Sequence, residues 1–258
     1  MFKKINLFAI FAILLMFASS FTEGDSSNTV TDIEGNVYYT VKIGTQTWMV
    51  ENLKTTKYND GTSIPYVSDS TAWPKLSTPG YCFYNNDAAN KNTYGALYNW
   101  YTINTGKLAP TGWHVPTDAE WTTLENYLIA NGYNYDGTTT GNKIAKSLAA
   151  TILWNTDTTD WAPSTNIGDI GNDLTKNNNS GFAGLPGGAR LSEGRNLSPG
   201  RFSNSRFLTI GYNGIWWSST LNYPYESWNR RLSCHSSDVD RFSNRMQSGF
   251  SVRCLRDN

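Results

Sequence analysis

The stretch APTGWHVPTDAEW, residues 109–121, decides how the rest of the chain is read. Pro110, Thr111 and Gly112 form a turn, and Trp113, His114 and Val115 are extended. Thr117 and Glu120 then have the spacing of a capping box, in which each side chain satisfies a backbone N–H that the first helical turn leaves unpaired. Trp121, Leu124 and Leu128 continue one apolar helical face, with Pro116 and Trp121 at staple positions. Asn131-Gly132 ends the helix, because a residue just past the last turn often takes the left-handed conformation.

Outward from this helix the chain reads as short strands and loops. Val37, Tyr39, Val41 and Ile43 alternate with Tyr38, Thr40 and Lys42, and Gly44-Thr45 turns the chain back, so residues 37–50 form a hairpin. Asn59-Asp60-Gly61 is a turn. Residues 62–80 carry Pro65, Pro74 and Pro79 and read as an irregular surface loop. Residues 81–84 form a short strand. Tyr94, Leu97, Tyr98 and Tyr101 fall at helical spacing, which predicts a short helix with an aromatic stripe. Ile144, Ala145 and Leu148 predict another. Residues 155–181 are a long polar loop. After Gly181 the texture is β, with strands expected over 182–185, 214–219, 227–234, 239–245 and 249–255. In the last, Phe250, Val252 and Cys254 share one face, and Ser251 and Arg253 take the other.

Residues 1–20 are set apart from this pattern. Lys3 and Lys4 precede the uncharged apolar run 7–17, and Ala18-Ser19-Ser20 follow it. That is the form of a secretory signal peptide, and the run is shorter than the ~20 residues of a spanning helix. The expected organisation is a signal peptide over 1–20, a flexible leader over 21–28 and one domain over 29–258. The protein is expected to be exported to the periplasm, the cell surface or the medium, with no membrane span once the signal is removed. Charged residues are only 16% of the chain while aromatics reach 14%. The aromatic content can fill a core, so disorder is excluded as a description of the whole. An early hairpin, short central helices and a late antiparallel sheet make an α+β fold.

Charge is unevenly placed. All ten arginines lie at or after Arg190, and all eleven lysines at or before Lys176. Two readings follow: charge complementation between halves of one domain, or an arginine-bearing face for an anionic glycan or acidic partner. Nucleic acid is not expected as a partner, because the whole chain carries a formal net charge of +0.

Motifs of catalysis are sparse. There is no G-x-S-x-G elbow, P-loop or H-E-x-x-H string. His114 and His235 are the only histidines, and His114 has a structural setting between Trp113 and Val115. Two histidines and three scattered cysteines do not make a zinc site. No catalytic residue, metal site or cofactor is therefore assigned. Asn85, Asn86 and Asp87 offer oxygen ligands for calcium, but an asparagine-rich turn is the favoured explanation. Trp216 and Trp217, adjacent on a strand, should point to opposite faces. Packing of both indoles in the core or a loop is the favoured reading; one exposed indole beside Arg230 and Arg231 would suit a sugar ring or a surface partner, so these four residues are the candidate ligand site.

Six segments in order resemble the Fibrobacter succinogenes major paralogous domain: TDIEGNVYYTVKIGTQTWMVENL (31–53), YGALYNW (94–100), PTGWHVPTDAEW (110–121), GFAGLPGG (181–188), WWSST (216–220) and GFSVRC (249–254). The resemblance spans roughly residues 30–257. It implies an exported or surface-associated bacterial protein with a twisted antiparallel sheet, short helices and long loops, related to C-type lectins and to the formylglycine-generating enzyme. It carries no reaction. The calcium-binding strings EPN, QPD and WND of sugar-binding C-type lectins are absent. Ala109 stands where similar domains usually carry a cysteine, which leaves the partner of Cys254 open. Cys234 on a neighbouring strand and Cys82 are the two candidates, and a Cys234–Cys254 disulfide is the expected pairing. The function implied is an exported, non-enzymatic module that binds a polysaccharide or a surface protein. A surface or adhesion protein without a small ligand, and an enzyme on the formylglycine-generating-enzyme scaffold, are the alternatives.

Overall fold

The hairpin read from alternation opens the fold in the computed structural model, which describes residues 28–156, 166–192 and 207–257. The signal peptide and nearly all of the leader lie outside the described residues. In chain order the strands and helices are β1 (Thr29–Thr31), β2 (Val37–Ile43), β3 (Gln46–Met49), β4 (Tyr81–Cys82), α1 (Lys91–Tyr94), β5 (Leu97–Tyr98), α2 (Trp100–Ile103), β6 (Trp113–His114), α3 (Asp118–Ala130), α4 (Ala145–Leu148), β7 (Ala189–Arg190), β8 (Phe207–Leu208), β9 (Asn213–Tyr223), β10 (Glu226–Ser233), β11 (Asp240–Arg245) and β12 (Leu255–Arg256). The architecture is mixed α/β, mostly strands, with few and short helices.

Two sheets organise it. The first has the order β1-β2-β3-β12-β6, so the last strand enters between the early hairpin and the stretch that precedes α3. Leu255 pairs with Trp48 on one side and His114 on the other. The second sheet is β11-β10-β9, antiparallel throughout. Two short ribbons, β4-β5 and β7-β8, complete the strand pairings.

Helix α3 forms for the reasons its sequence gives. Thr117 Oγ1 accepts from Glu120 N, and Glu120 Oε2 accepts from Thr117 N at 2.8 Å, so the capping box is complete. Trp121, Leu124 and Leu128 are buried, Asn131 is the C-cap, and Gly132 follows at φ +77°. Thr117→Ala is expected to lower stability by about 1 kcal/mol, read as a fall in the urea midpoint. An unchanged midpoint would mean that α3 is held by packing alone.

The expected helix through 94–101 is broken into α1, β5 and α2. Gly95 stops it at φ +78°, and a Cβ there would lie 2.7 Å from the Leu53 carbonyl. Asn99 then restarts the helical turn by accepting from Thr102 N. Residues 62–80 are irregular as expected but are not merely surface, because Trp73 is fully buried. The strand expected over 182–185 reduces to a bridge between Gly184 and Ala149, interrupted by Ala183 at φ +52°. Residues 249–254 likewise make only bridges, to Arg190, Tyr98 and Trp216, before β12 begins. Phe250, Val252 and Cys254 do share one core, but Ser251 and Arg253 are buried too.

The core is divided by β9. Trp217 belongs to one cluster, with Phe250 at 4.4 Å between ring centroids. Trp216 belongs to the other, with Trp48, Trp121 and Phe182. The indole N–H groups donate to the Tyr98 carbonyl and to Asn52 Oδ1 respectively. The expected alternation of the two tryptophans holds, but both faces of β9 are covered here and neither ring reaches solvent.

Candidate functional site

Alternation along β9, β10 and β11 places a row of side chains on the face of the second sheet that turns away from α3. Arg231 is the cross-strand partner of Ile215, and Asn229 that of Phe242. These residues, with Asn213 and Asn244, line a cavity of about 300 Å³, walled by Ala189, Leu191, Leu208 and Thr209 around the β7-β8 ribbon. Leu191, Ser243 and Asn244 also line an adjoining cavity of about 160 Å³ that reaches Glu226, Arg245 and Ser248. Together they make one groove along the sheet.

The lining is amides, hydroxyls and apolar surface together with Arg231, Arg245 and Glu226. Asn229 is 1% exposed and donates through Nδ2 to Asn244 Oδ1 at 3.0 Å. Phe242 is exposed, and the Arg231 guanidinium lies 4.6 Å from its ring centroid. Arg231 is also bound to Asp240 Oδ2, through Nε at 3.0 Å and Nη2 at 2.8 Å. Ser243 donates to Glu226 Oε2 at 2.6 Å. Thr209 holds φ +65° at the rim, a costly backbone conformation for a β-branched residue. Beyond Glu226 the β9-β10 hairpin exposes Tyr223 and Tyr225, Tyr223 being the cross-strand partner of Glu226.

Of the four residues expected to bind ligand, only Arg231 reaches this groove. Trp216 and Trp217 are core. Arg230 is buried on the opposite face, where Nη1 lies 2.6 Å from Asp118 Oδ1 and Nε donates to Glu125 Oε1. Sequence reading missed Asn229, Phe242 and Asn244. The alternation of the expected strands over 227–234 and 239–245 put them on the face of Arg231, and that signal was sufficient to find them.

The described arginines act chiefly as packing and pairing groups. Arg190 donates to the carbonyls of Val67, Ser68 and Asp69 and lies over Trp73. Arg253 donates to the Phe182 carbonyl beneath that ring. Arg241 pairs with Asp118 and covers Trp228 at 3.4 Å. Late arginines thus meet early acids in Arg230, Arg241, Asp118 and Glu125, which is charge complementation between the halves. Arg195, Arg201 and Arg206 lie outside the described residues.

The remaining candidates have structural settings. His114 Nδ1 is 2.6 Å from Asp257 Oδ1 and Nε2 is 3.0 Å from Glu120 Oε1, which ties the helix cap to the C-terminal segment. In the asparagine loop, Asp87 Oδ1 accepts from Ala89 N and Asn86 Nδ2 donates to the Ser68 carbonyl. Asp60, Asp69, Asp136 and Asp173 each close a turn on the threonine two residues on. No cluster of three metal-ligating side chains occurs among the described residues. Lys146 is buried beside a further cavity of about 340 Å³, and burial lowers its pKa, but its Nζ is engaged by the Asp173 carbonyl at 3.0 Å.

The expected Cys234–Cys254 disulfide is not formed, nor is a Cys82–Cys254 bond: all three cysteines are free and buried. Cys254, Cys234 and Cys82 fall in three different core clusters. Burial raises each thiol, that of Cys82 to about 12 and that of Cys234 to about 11. These are packing cysteines, not nucleophiles.

A family model described as the Fibrobacter succinogenes major domain matches residues 41–256. Comparisons with curated proteins and with solved structures gave no match.

Proposed function

The chain belongs to the Fibrobacter succinogenes major domain family, and from that premise we propose that it is an exported, non-enzymatic module that binds polysaccharide in the groove of β9, β10 and β11. The C-type-lectin-like character of the fold is part of the same proposal. The observation that carries it is the groove's lining: amides and hydroxyls, the Asn229 amide buried among them, beside the exposed Phe242 side chain. Sugar rings present apolar C–H faces edged by hydroxyls, and such a surface complements both. Glu226 is the one carboxylate among the described lining residues, whereas glycoside cleavage ordinarily uses a pair flanking the bond. That difference supports binding over hydrolysis.

The test is retention of the full mature chain on insoluble polysaccharides, with Phe242→Ala as the variant. Loss of one stacking contact is expected to weaken retention by about tenfold, corresponding to roughly 1–1.5 kcal/mol, with the melting temperature little changed. Retention equal to that of the parent would remove Phe242 from the site. No retention on any polysaccharide, with cell-surface association kept, would favour a surface or adhesion protein without a small ligand.

A further inference from the structure

We propose that the groove selects a neutral, hydroxyl-bearing glycan over an anionic one, and that the Asn229–Asn244 amide pair is the selecting element. This rests on the glycan-binding reading of the same groove. An amide carries two acceptor lone pairs and two N–H donors. Asn229 spends a donor on Asn244 Oδ1. Among the described residues, Asn229 Oδ1 then receives no donor and Asn244 Nδ2 finds no acceptor. Asn229 is 1% exposed, so its half-used amide is confined to the cavity it lines. Neither Asn229 Oδ1 nor Asn244 Nδ2 is a buried orphan, so the unused lone pairs and N–H of the pair stay open to a ligand in the cavity.

The pair therefore offers one acceptor and one donor side by side. A hydroxyl both donates and accepts, and two neighbouring hydroxyls complete the pair. A carboxylate or sulfate brings acceptors alone, so its oxygens would face the Asn229 carbonyl without a proton between them. The charges of the described lining residues point the same way. Arg231 has its guanidinium committed twice to Asp240, Arg245 is partnered, and Glu226 adds a negative group to the adjoining cavity. Among the described lining residues, an anionic chain meets an arginine already shared with Asp240 and a carboxylate, so little counter-charge offsets the hydration it loses.

The experiment is affinity electrophoresis of the full mature chain through gels holding neutral polysaccharides (a β-glucan, a mannan, a xylan) or acidic ones (polygalacturonate, alginate) at one ionic strength. At least one neutral chain is expected to bind tenfold or more tightly than either acidic chain, with little dependence on salt. Asn244→Asp keeps an oxygen for the Asn229 donor but replaces the free N–H donor with a charged acceptor. It is expected to weaken neutral binding by about tenfold without a fall in melting temperature. Tighter, salt-sensitive binding to the acidic chains would overturn the inference and leave the groove as a glycan site. Asn244→Asp with unchanged affinity would overturn the amide pair as selector. Binding to neither class would overturn both this inference and the function on which it rests.

Discussion

Trp216→Ala is expected to destabilise the fold by about 3–5 kcal/mol, a large share of the ~5–15 kcal/mol that holds an ordinary domain. The indole is 1% exposed, and its ring meets Phe182 edge-on at 6.1 Å. Its space is kept open by two glycines. A Cβ at Gly214 would lie 2.3 Å from the ring, and one at Gly184 would lie 3.0 Å from it. The N–H donates to Asn52 Oδ1 at 2.8 Å, an acceptor that also serves Arg253. Truncation therefore removes a large buried ring, a hydrogen bond and the neighbour of a buried arginine together. Equilibrium urea unfolding reads the loss. Because the ring is on the opposite side of β9 from the groove, the folded fraction should bind polysaccharide as the parent does. A stable variant that no longer binds would return Trp216 to the ligand site.

What the sequence made legible was local chemistry. The capping box at Thr117 and Glu120, the glycine turn of the first hairpin and the alternation in β10 and β11 are decided by neighbours in the chain. What it concealed was set by partners far away. Alternation correctly sends Trp216 and Trp217 to opposite faces, but it cannot say that clusters cover both. The spacing of Tyr94, Leu97, Tyr98 and Tyr101 is helical, yet Gly95 breaks it at φ +78°, where a Cβ would also meet the distant Leu53 carbonyl at 2.7 Å. Alternation puts Ser251 and Arg253 on the face opposite Phe250 but cannot say that this face is buried too; here Phe182 and its carbonyl take up the guanidinium. The burial of Trp216, Trp217 and Arg230 was hidden for the same reason. Arginine beside tryptophan has one signature whether the pair is exposed or buried, and the acids that claim Arg230 are more than a hundred residues earlier. Arg231 reached the groove, and its own face carried the amides that were passed over.

Arg230→Met should be the second severe variant. The guanidinium is 1% exposed in its side chain, and it faces Asp118 and Glu125, each 16% exposed. Thr122 Oγ1 and the Asp118 carbonyl accept further N–H groups, so α3 is fastened to β10 through one cation. Removing a buried partner leaves the other charge uncompensated, at a cost of about 3–5 kcal/mol. Asp118 keeps Arg241, whereas Glu125 keeps no contacting cation among the described ion pairs. Acid should partly restore the variant. Burial already raises Glu125 from its ordinary value against the pull of Arg230. A carboxyl raised on folding contributes stability below its unfolded pKa, and that contribution is lost as pH rises through the folded value. Without Arg230 the folded value climbs further, so protonation relieves the orphaned charge at a higher pH. Asp118 has the opposite sign: burial pushes it up, but hydrogen bonds from Arg241 and Arg230 outweigh that and lower it. Its stabilisation is present above the unfolded carboxylate pKa and fades as pH falls through the folded value, below the range where Glu125 is relieved. Urea unfolding at pH 5, 7 and 8.5 should therefore show a deficit that is smallest at pH 5. Replacing Glu125 with leucine in the same chain should remove most of the pH dependence. A deficit that is equal at all three pH values would mean that the loss comes from packing of the arginine stem rather than from the charge left on Glu125.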